Sequence, residues 1–157
     1  MMSLAFMNGE KKENIVFWGS AGTGKTWLAE LIATEACRKE GRVRWGQFPS
    51  MYRELETLKT NSTKFETRLT YYSKFDLVCI DEFLNYSLDD PFLMQELFDR
   101  IKIKNKRSLL ICTQINPIDW VKVFSVSGIG ASSRGRVLEH CKNIHLHGSD
   151  LRMKGIG

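Results

Sequence analysis

Gly19-Ser20-Ala21-Gly22-Thr23-Gly24-Lys25-Thr26 has the form G-x-x-x-x-G-K-[ST]. The apolar run Ile15-Val16-Phe17-Trp18 leads into it, and the helix-prone run Trp27-Leu28-Ala29-Glu30-Leu31-Ile32-Ala33 leads out. Strand, glycine loop and helix in that order are what a phosphate-binding loop requires. Glycines let successive backbone N–H groups turn inward around an anion-sized hollow. The helix that follows points its positive end at the same place. The run Gly19 to Thr26, with Trp27 after it, is therefore the expected nucleotide contact. Lys25 is expected at the β- and γ-phosphates, and the Thr26 hydroxyl on Mg²⁺.

The composition sets the frame around this loop. A chain of 157 residues fits one domain, enough to bury about two-thirds of its unfolded surface. Charged residues make up 26% and the net charge is +5, which suits a polyanionic partner without proving one. No apolar run approaches the ~20 residues of a membrane helix, so no membrane partner is expected. The N-terminus, Met1 to Met7, lacks the basic and apolar regions of a signal peptide. Cys37, Cys79, Cys112 and Cys141 stand far apart in sequence. Two of them, Cys79 and Cys112, sit in apolar strand-like runs. Buried reduced thiols and a cytoplasmic compartment follow.

Outward from the loop, apolar strand patterns alternate with helical ones. The first strand is expected at Asn14–Trp18 and the first helix at Gly24–Lys39, stopped by Gly41. Arg42 to Phe48 alternates polar and apolar as a half-exposed strand does. A helix containing Met51, Leu55 and Leu58 starts at Pro49-Ser50, and Asn61-Ser62 break it. Phe65, Leu69 and Tyr72 mark another helix. Phe75-Asp76-Leu77-Val78-Cys79-Ile80 and Ser108-Leu109-Leu110-Ile111-Cys112-Thr113 read as strands covered on both faces. Between them, Asp89-Asp90-Pro91 opens a helix through Ile101. Pro117 to Trp120 starts a short helix, Ser125 to Ser133 is a loop, Arg136 to Cys141 a brief helix, and Asn143 to His147 a last strand. The order predicts an α/β fold, a five-stranded parallel sheet flanked by helices. Ligands bind such sheets beyond the carboxyl ends of the strands. The polar ends of the Phe75 and Ser108 strands should therefore converge on the loop.

The second half of the site follows the Phe75 strand. Four apolar residues and then Asp81-Glu82 form the Walker B pattern of ATP-hydrolysing P-loop proteins. Asp81 is expected to hold Mg²⁺ through its water shell, and Glu82 to act as general base on the attacking water. At the end of the Ser108 strand come Thr113, Gln114 and Asn116; a polar side chain there can reach that water or the γ-phosphate, with Gln114 the first choice and Asn116 the second. Arg134 and Arg136 follow a glycine loop. An Arg there can stabilise charge on the transferred phosphoryl group, often from a neighbouring subunit.

With these residues assembled, the chain resembles AAA+ ATPases of the IstB/DnaC type, transposition helpers and replicative helicase loaders. The resemblance runs from Asn14 to Arg152. It is carried by residues 19–29, Tyr71 to Leu77, Ile-Asp-Glu-Phe at 80–83, Ser108 to Gln114, Pro-Ile-Asp-Trp at 117–120 and Gly-Arg-Val-Leu at 135–138. It implies an AAA+ core over 14–152, with a leader at 1–13 and a tail at 153–157. It also places Gln114 at the sensor-1 position and Arg136 where the intersubunit arginine finger is expected, with Arg134 a second candidate. The implied activity is ATP hydrolysis with Mg²⁺ in a homo-oligomer that assembles on DNA with ATP between subunits. The implied client is a transposase or a hexameric helicase. The family carries a partner-binding region and part of the adenine pocket ahead of the first strand, where only the leader stands here. The expectation is a fragment, a minimal form or one part of a split system.

DNA contact is an expectation from charge and resemblance. Its candidates are Arg42, Arg44, Lys59, Lys64, Lys102, Lys104, Lys106 and Arg107. His145 and His147 share a strand face but lack the further ligands of a metal site. Two other readings stay open. A small-molecule P-loop kinase shares the loop and the size, but no arginine-rich lid segment is visible. A nucleotide-binding adaptor without turnover would not need the complete set of Walker residues.

Overall fold

A computed structural model describes residues 14–84, 88–102, 108–120 and 141–148. The strands are β1 (Asn14–Trp18), β2 (Val43–Gln47), β3 (Leu77–Phe83), β4 (Ser108–Thr113) and β5 (Cys141–His145). The helices are α1 (Lys25–Arg38), α2 (Phe48–Leu58), α3 (Ser62–Tyr72) and α4 (Pro91–Lys102), with a 3₁₀ turn at Pro117–Asp119. The strands form one parallel sheet in the order β2-β3-β4-β1-β5.

Alternation along the inner strands splits the core into two layers. Ile15, Phe17, Leu77, Cys79, Leu110 and Cys112 face α1, which meets them with Ala29, Ala33 and Ala36. Alanines let the helix lie close to the sheet. Val16, Val78, Ile80, Leu109 and Ile111 face the opposite way, onto α2, α3 and α4. The edge strands β2 and β5 are only partly buried, as the polar alternation of β2 predicts. The cap expected at Asp90 forms, and Asn61, read in the sequence as a helix break, also caps α3. The Asn61 side chain accepts the Lys64 N–H at 3.1 Å, and the Asp90 carboxylate accepts the Phe92 N–H at 3.2 Å.

Four details differ from the sequence reading. The left-handed residue ending α1 is Glu40 (φ 62°), one position before Gly41. Gly41 N–H donates to the Ala36 carbonyl at 2.9 Å and Glu40 N–H to that of Cys37 at 3.0 Å. This is a Schellman closure with a side chain where glycine is preferred. A left-handed conformation costs a non-glycine residue about 1–2 kcal/mol. Glu40→Gly is therefore expected to stabilise the fold by about 1 kcal/mol, a rise of roughly 2–4 °C in a thermal melt. Second, β3 does not end at Ile80 but runs through Asp81 and Glu82 to Phe83. Third, the last strand lies two residues earlier than its expected span, because Cys141 pairs opposite Asn14. Fourth, Cys141 therefore belongs to a strand rather than to the end of a helix; the rest of that expected helix, 136–140, lies outside the described residues.

Candidate functional site

The glycine loop joins β1 to α1 at the carboxyl end of the sheet. Gly24 takes φ 92° immediately before the helix, and no side chain among the described residues caps α1. The first intrahelical bond runs from Leu28 N–H to the Gly24 carbonyl at 3.0 Å. The first-turn amides of α1 therefore face the loop, the arrangement that binds anions. Gly19 sits at φ 149° against the Leu146 carbonyl oxygen, which a Cβ there would meet at 2.0 Å. Only glycine fits this crossing.

Lys25 reaches back over the loop. Its Nζ donates to the carbonyls of Gly19 (2.8 Å) and Ser20 (2.7 Å), and the Thr23 hydroxyl donates to Ser20 as well (2.9 Å). The loop thus holds an ammonium over its own hollow. Trp27, in the first turn of α1, is 62% exposed.

Thr26 and Asp81 meet, although 55 residues separate them. The Thr26 hydroxyl lies 3.1 and 3.3 Å from the two Asp81 carboxylate oxygens. Asp81 is buried (6% exposed) and also accepts the Glu82 N–H at 2.9 Å. A hydroxyl and a carboxylate converging beside the glycine loop make an all-oxygen donor set, the chemistry that suits Mg²⁺. The site residues fit that ion.

The register between β3 and β4 shifts between Ile80 and Phe83. The bulge lets two consecutive residues differ: Asp81 is buried in the sheet while Glu82 is exposed, at φ 55°. A positive φ at a non-glycine residue holds only where its surroundings fix it, and two neighbours do so. Phe83 stacks edge-on against Phe48 (5.0 Å), Phe98 (5.7 Å) and Trp120 (4.9 Å). Its carbonyl accepts the buried Thr113 hydroxyl at 2.7 Å.

Thr113, which the sequence reading ranked behind Gln114 and Asn116, is the knot of the site. Its carbonyl accepts Gly19 N–H at 3.2 Å, and its hydroxyl oxygen accepts Ile115 N–H at 3.1 Å. One residue thus ties β3, the glycine loop and the turn carrying Gln114. Gln114 is exposed just past β4, on the same edge of the sheet. The Asn116 side chain instead caps the 3₁₀ turn, accepting Ile118 N–H at 3.1 Å. Arg134 and Arg136 lie outside the described residues.

Other expectations resolve around this centre. Burial holds the Cys79 thiol far up, to about 12, with Cys37 and Asp81 nearby adding to the shift. Burial pushes Cys112 still further up. Both stay protonated thiols at neutral pH. No group of three metal-ligating side chains occurs among the described residues. His145 stacks on Trp18 instead (3.7 Å, 4°). Of the basic candidates, Arg42 pairs with Asp76 (3.7 Å) and Lys59 with Asp90 (3.5 Å), while Arg44 donates to the Trp45 carbonyl (3.1 Å). Lys104, Lys106 and Arg107 lie outside the described residues. No helix among the described residues is long and apolar enough to cross a membrane.

Comparison with known proteins agrees with this architecture. A protein named as an ATP-binding protein of insertion sequence IS232, from Bacillus thuringiensis subsp. berliner, is 33% identical over 154 residues. That match takes in 98% of this chain and 60% of the relative. The corresponding IS21 protein of Pseudomonas aeruginosa is 24% identical over 156 residues, 98% of this chain and 57% of that one. The chain thus spans three-fifths or less of the length of these relatives. Among solved structures, AMPPCP-bound DnaA from Aquifex aeolicus superposes with a TM-score of 0.71 at 21% identity. It is matched over 96% of this chain and 46% of that one. The DnaC helicase loader does so at 0.66 and 20%, over 91% and 85%. These likenesses show the fold, a parallel α/β sheet with a glycine loop after its first strand. The pattern of the family described as IstB-like ATP binding protein matches residues 1–156, and the chain belongs to that family.

Proposed function

We propose that this chain is the ATP-hydrolysing core of a DNA-assembled switch serving transposition. The supporting observation is the contact between Thr26 and Asp81 beside a loop that only glycine can form. The amides of 19–25 and the Lys25 ammonium hold the phosphates of ATP, and Thr26 and Asp81 hold Mg²⁺. The bound ion, when present, offsets charge on the β- and γ-phosphate oxygens. Glu82 takes the proton of the attacking water, and Gln114 orients that water. Arg134 or Arg136 of a neighbouring copy meets the charge on the transferred group. Hydrolysis is slow until a neighbour supplies that Arg. The names of the relatives favour a transposase as client over a helicase.

The deciding experiment sizes the purified chain with and without duplex DNA and a slowly hydrolysed ATP analogue. Analogue-dependent assembly on DNA, with an affinity that falls steeply with salt, is the expected outcome. Phosphate release should then rise with DNA. A chain that stays monomeric under all conditions removes the switch. Transfer of phosphate to a small acceptor would point to a kinase instead.

A further inference from the structure

Trp18, His145 and His147 form a ladder of three stacked rings where β1 meets β5. The centroids of Trp18 and His145 lie 3.7 Å apart with planes 4° from parallel. Those of His145 and His147 lie 4.5 Å apart at 16°. The geometry follows from the sheet. Trp18 pairs opposite His145, and a strand-like step of two residues returns the chain to the same face at His147.

Leu146, between the two histidines, turns the other way and packs with the α1 layer. Its N–H donates to the Trp18 carbonyl at 2.8 Å, and its own carbonyl is the one pressed against Gly19. The ladder is therefore fixed to the first residue of the phosphate loop. Trp18 is half-buried against the α2–α4 layer, whereas His145 and His147 are exposed. Beyond them, a Cβ built on Gly148 meets no atom of the described residues within 4 Å.

The direction in which a nucleotide would lie follows from the other end of the site. Thr26 and Asp81 mark the metal-bound terminal phosphates, on the β3 side of β1. With the triphosphate laid across the loop, the nucleoside leads away from Asp81, toward β5. There the outermost of the three stacked rings, His147, is exposed. Ring stacking is tolerant of base identity and needs only a π-face.

We propose that His147, backed by His145 and Trp18, is the stacking platform for the adenine of the bound nucleotide. This rests on the nucleotide reading of the loop. It gives the base a contact supplied by β5 and the residues just after it.

The test compares ATP with inorganic tripolyphosphate, which offers the loop the same phosphates and no base. Calorimetry is run on the full chain, on His147→Ala and on His147→Phe. His147→Ala is expected to weaken ATP about 5- to 150-fold, the range measured for loss of one base-stacking ring, and to leave tripolyphosphate binding unchanged. His147→Phe keeps a flat face and should keep ATP affinity. Unchanged ATP affinity in His147→Ala overturns the proposal. So does equal weakening of both ligands, because the residue then supports the loop rather than the base. If His147→Ala instead loses only a single-stranded oligonucleotide, the ring reads DNA and the proposal falls. A parent chain that binds neither ATP nor tripolyphosphate takes down the nucleotide reading itself.

Discussion

Glu82→Gln is expected to slow ATP hydrolysis by about 10²–10⁴-fold, the usual contribution of a positioned general base, and to leave ATP·Mg²⁺ affinity unchanged. The split arises because the bulge in β3 gives its two carboxylates different surroundings. Asp81 is buried and accepts from Thr26 and from the Glu82 amide. Glu82 is exposed beyond it, and its backbone N–H rather than its carboxylate makes the bond to Asp81. A neutral amide of the same size therefore leaves the loop, the Thr26–Asp81 contact and the backbone bond to Asp81 intact, and removes only the proposed proton acceptor. Single-turnover phosphate release reads the first quantity and calorimetry the second. Asp81→Asn is the contrast: it weakens the oxygen pair itself, so Mg²⁺-dependent binding should fall along with the rate. If Glu82→Gln hydrolyses ATP at the parent rate, Glu82 is no base and the catalytic assignment fails.

The two halves of this site differ in how far the sequence exposed them. The loop and its flanks were legible because the chemistry is local. A phosphate cradle needs glycine at fixed spacing, and strand and helix lie directly on either side. The convergence of Asp81 on Thr26 was legible at one remove, because parallel sheets bring the ends of their strands to one edge. The core layers were legible as well, since runs such as Ser108 to Thr113 are apolar on both faces.

What stayed hidden depends on register and backbone angle. Nothing in Ile80-Asp81-Glu82-Phe83 announces a bulge. A one-residue irregularity arises from pairing with β4 and from the Phe83 ring wedged between Phe48, Phe98 and Trp120. Thr113 reads in sequence as an ordinary strand end, and its three-way bonding exists only once β3, β4 and the loop are adjacent. The Glu40 stop misled for a related reason. Glycine at 41 is the obvious left-handed residue, but the closure counts from where the helix hydrogen bonds end, one position earlier. The ring ladder needs the pairing of two strands over 120 residues apart, which no local pattern encodes.

Gly19→Ala carries the second large effect, and it separates the loop's shape from its charge. A Cβ at this position would sit 2.0 Å from the Leu146 carbonyl oxygen, and φ is 149°. Both partners are backbone, and both are tied: Gly19 N–H to the Thr113 carbonyl, Leu146 N–H to the Trp18 carbonyl. Relief requires moving the loop or the chain after β5. Backbone strain of about 1–3 kcal/mol adds to an overpacking cost of similar size. The expected loss is therefore about 2–6 kcal/mol, read as a fall of roughly 4–24 °C in a thermal melt. Nucleotide affinity should fall with it, because the cradle cannot close. Gly46 supplies the control. A Cβ there also lands too close, at 2.3 Å, but against the Met51 sulfur, the movable end of a flexible side chain. Gly46→Ala should accordingly cost less than Gly19→Ala and leave nucleotide binding alone. Equal losses from the two substitutions would mean that the loop yields as easily as a thioether, and the rigid cradle invoked for phosphate binding would have no physical basis.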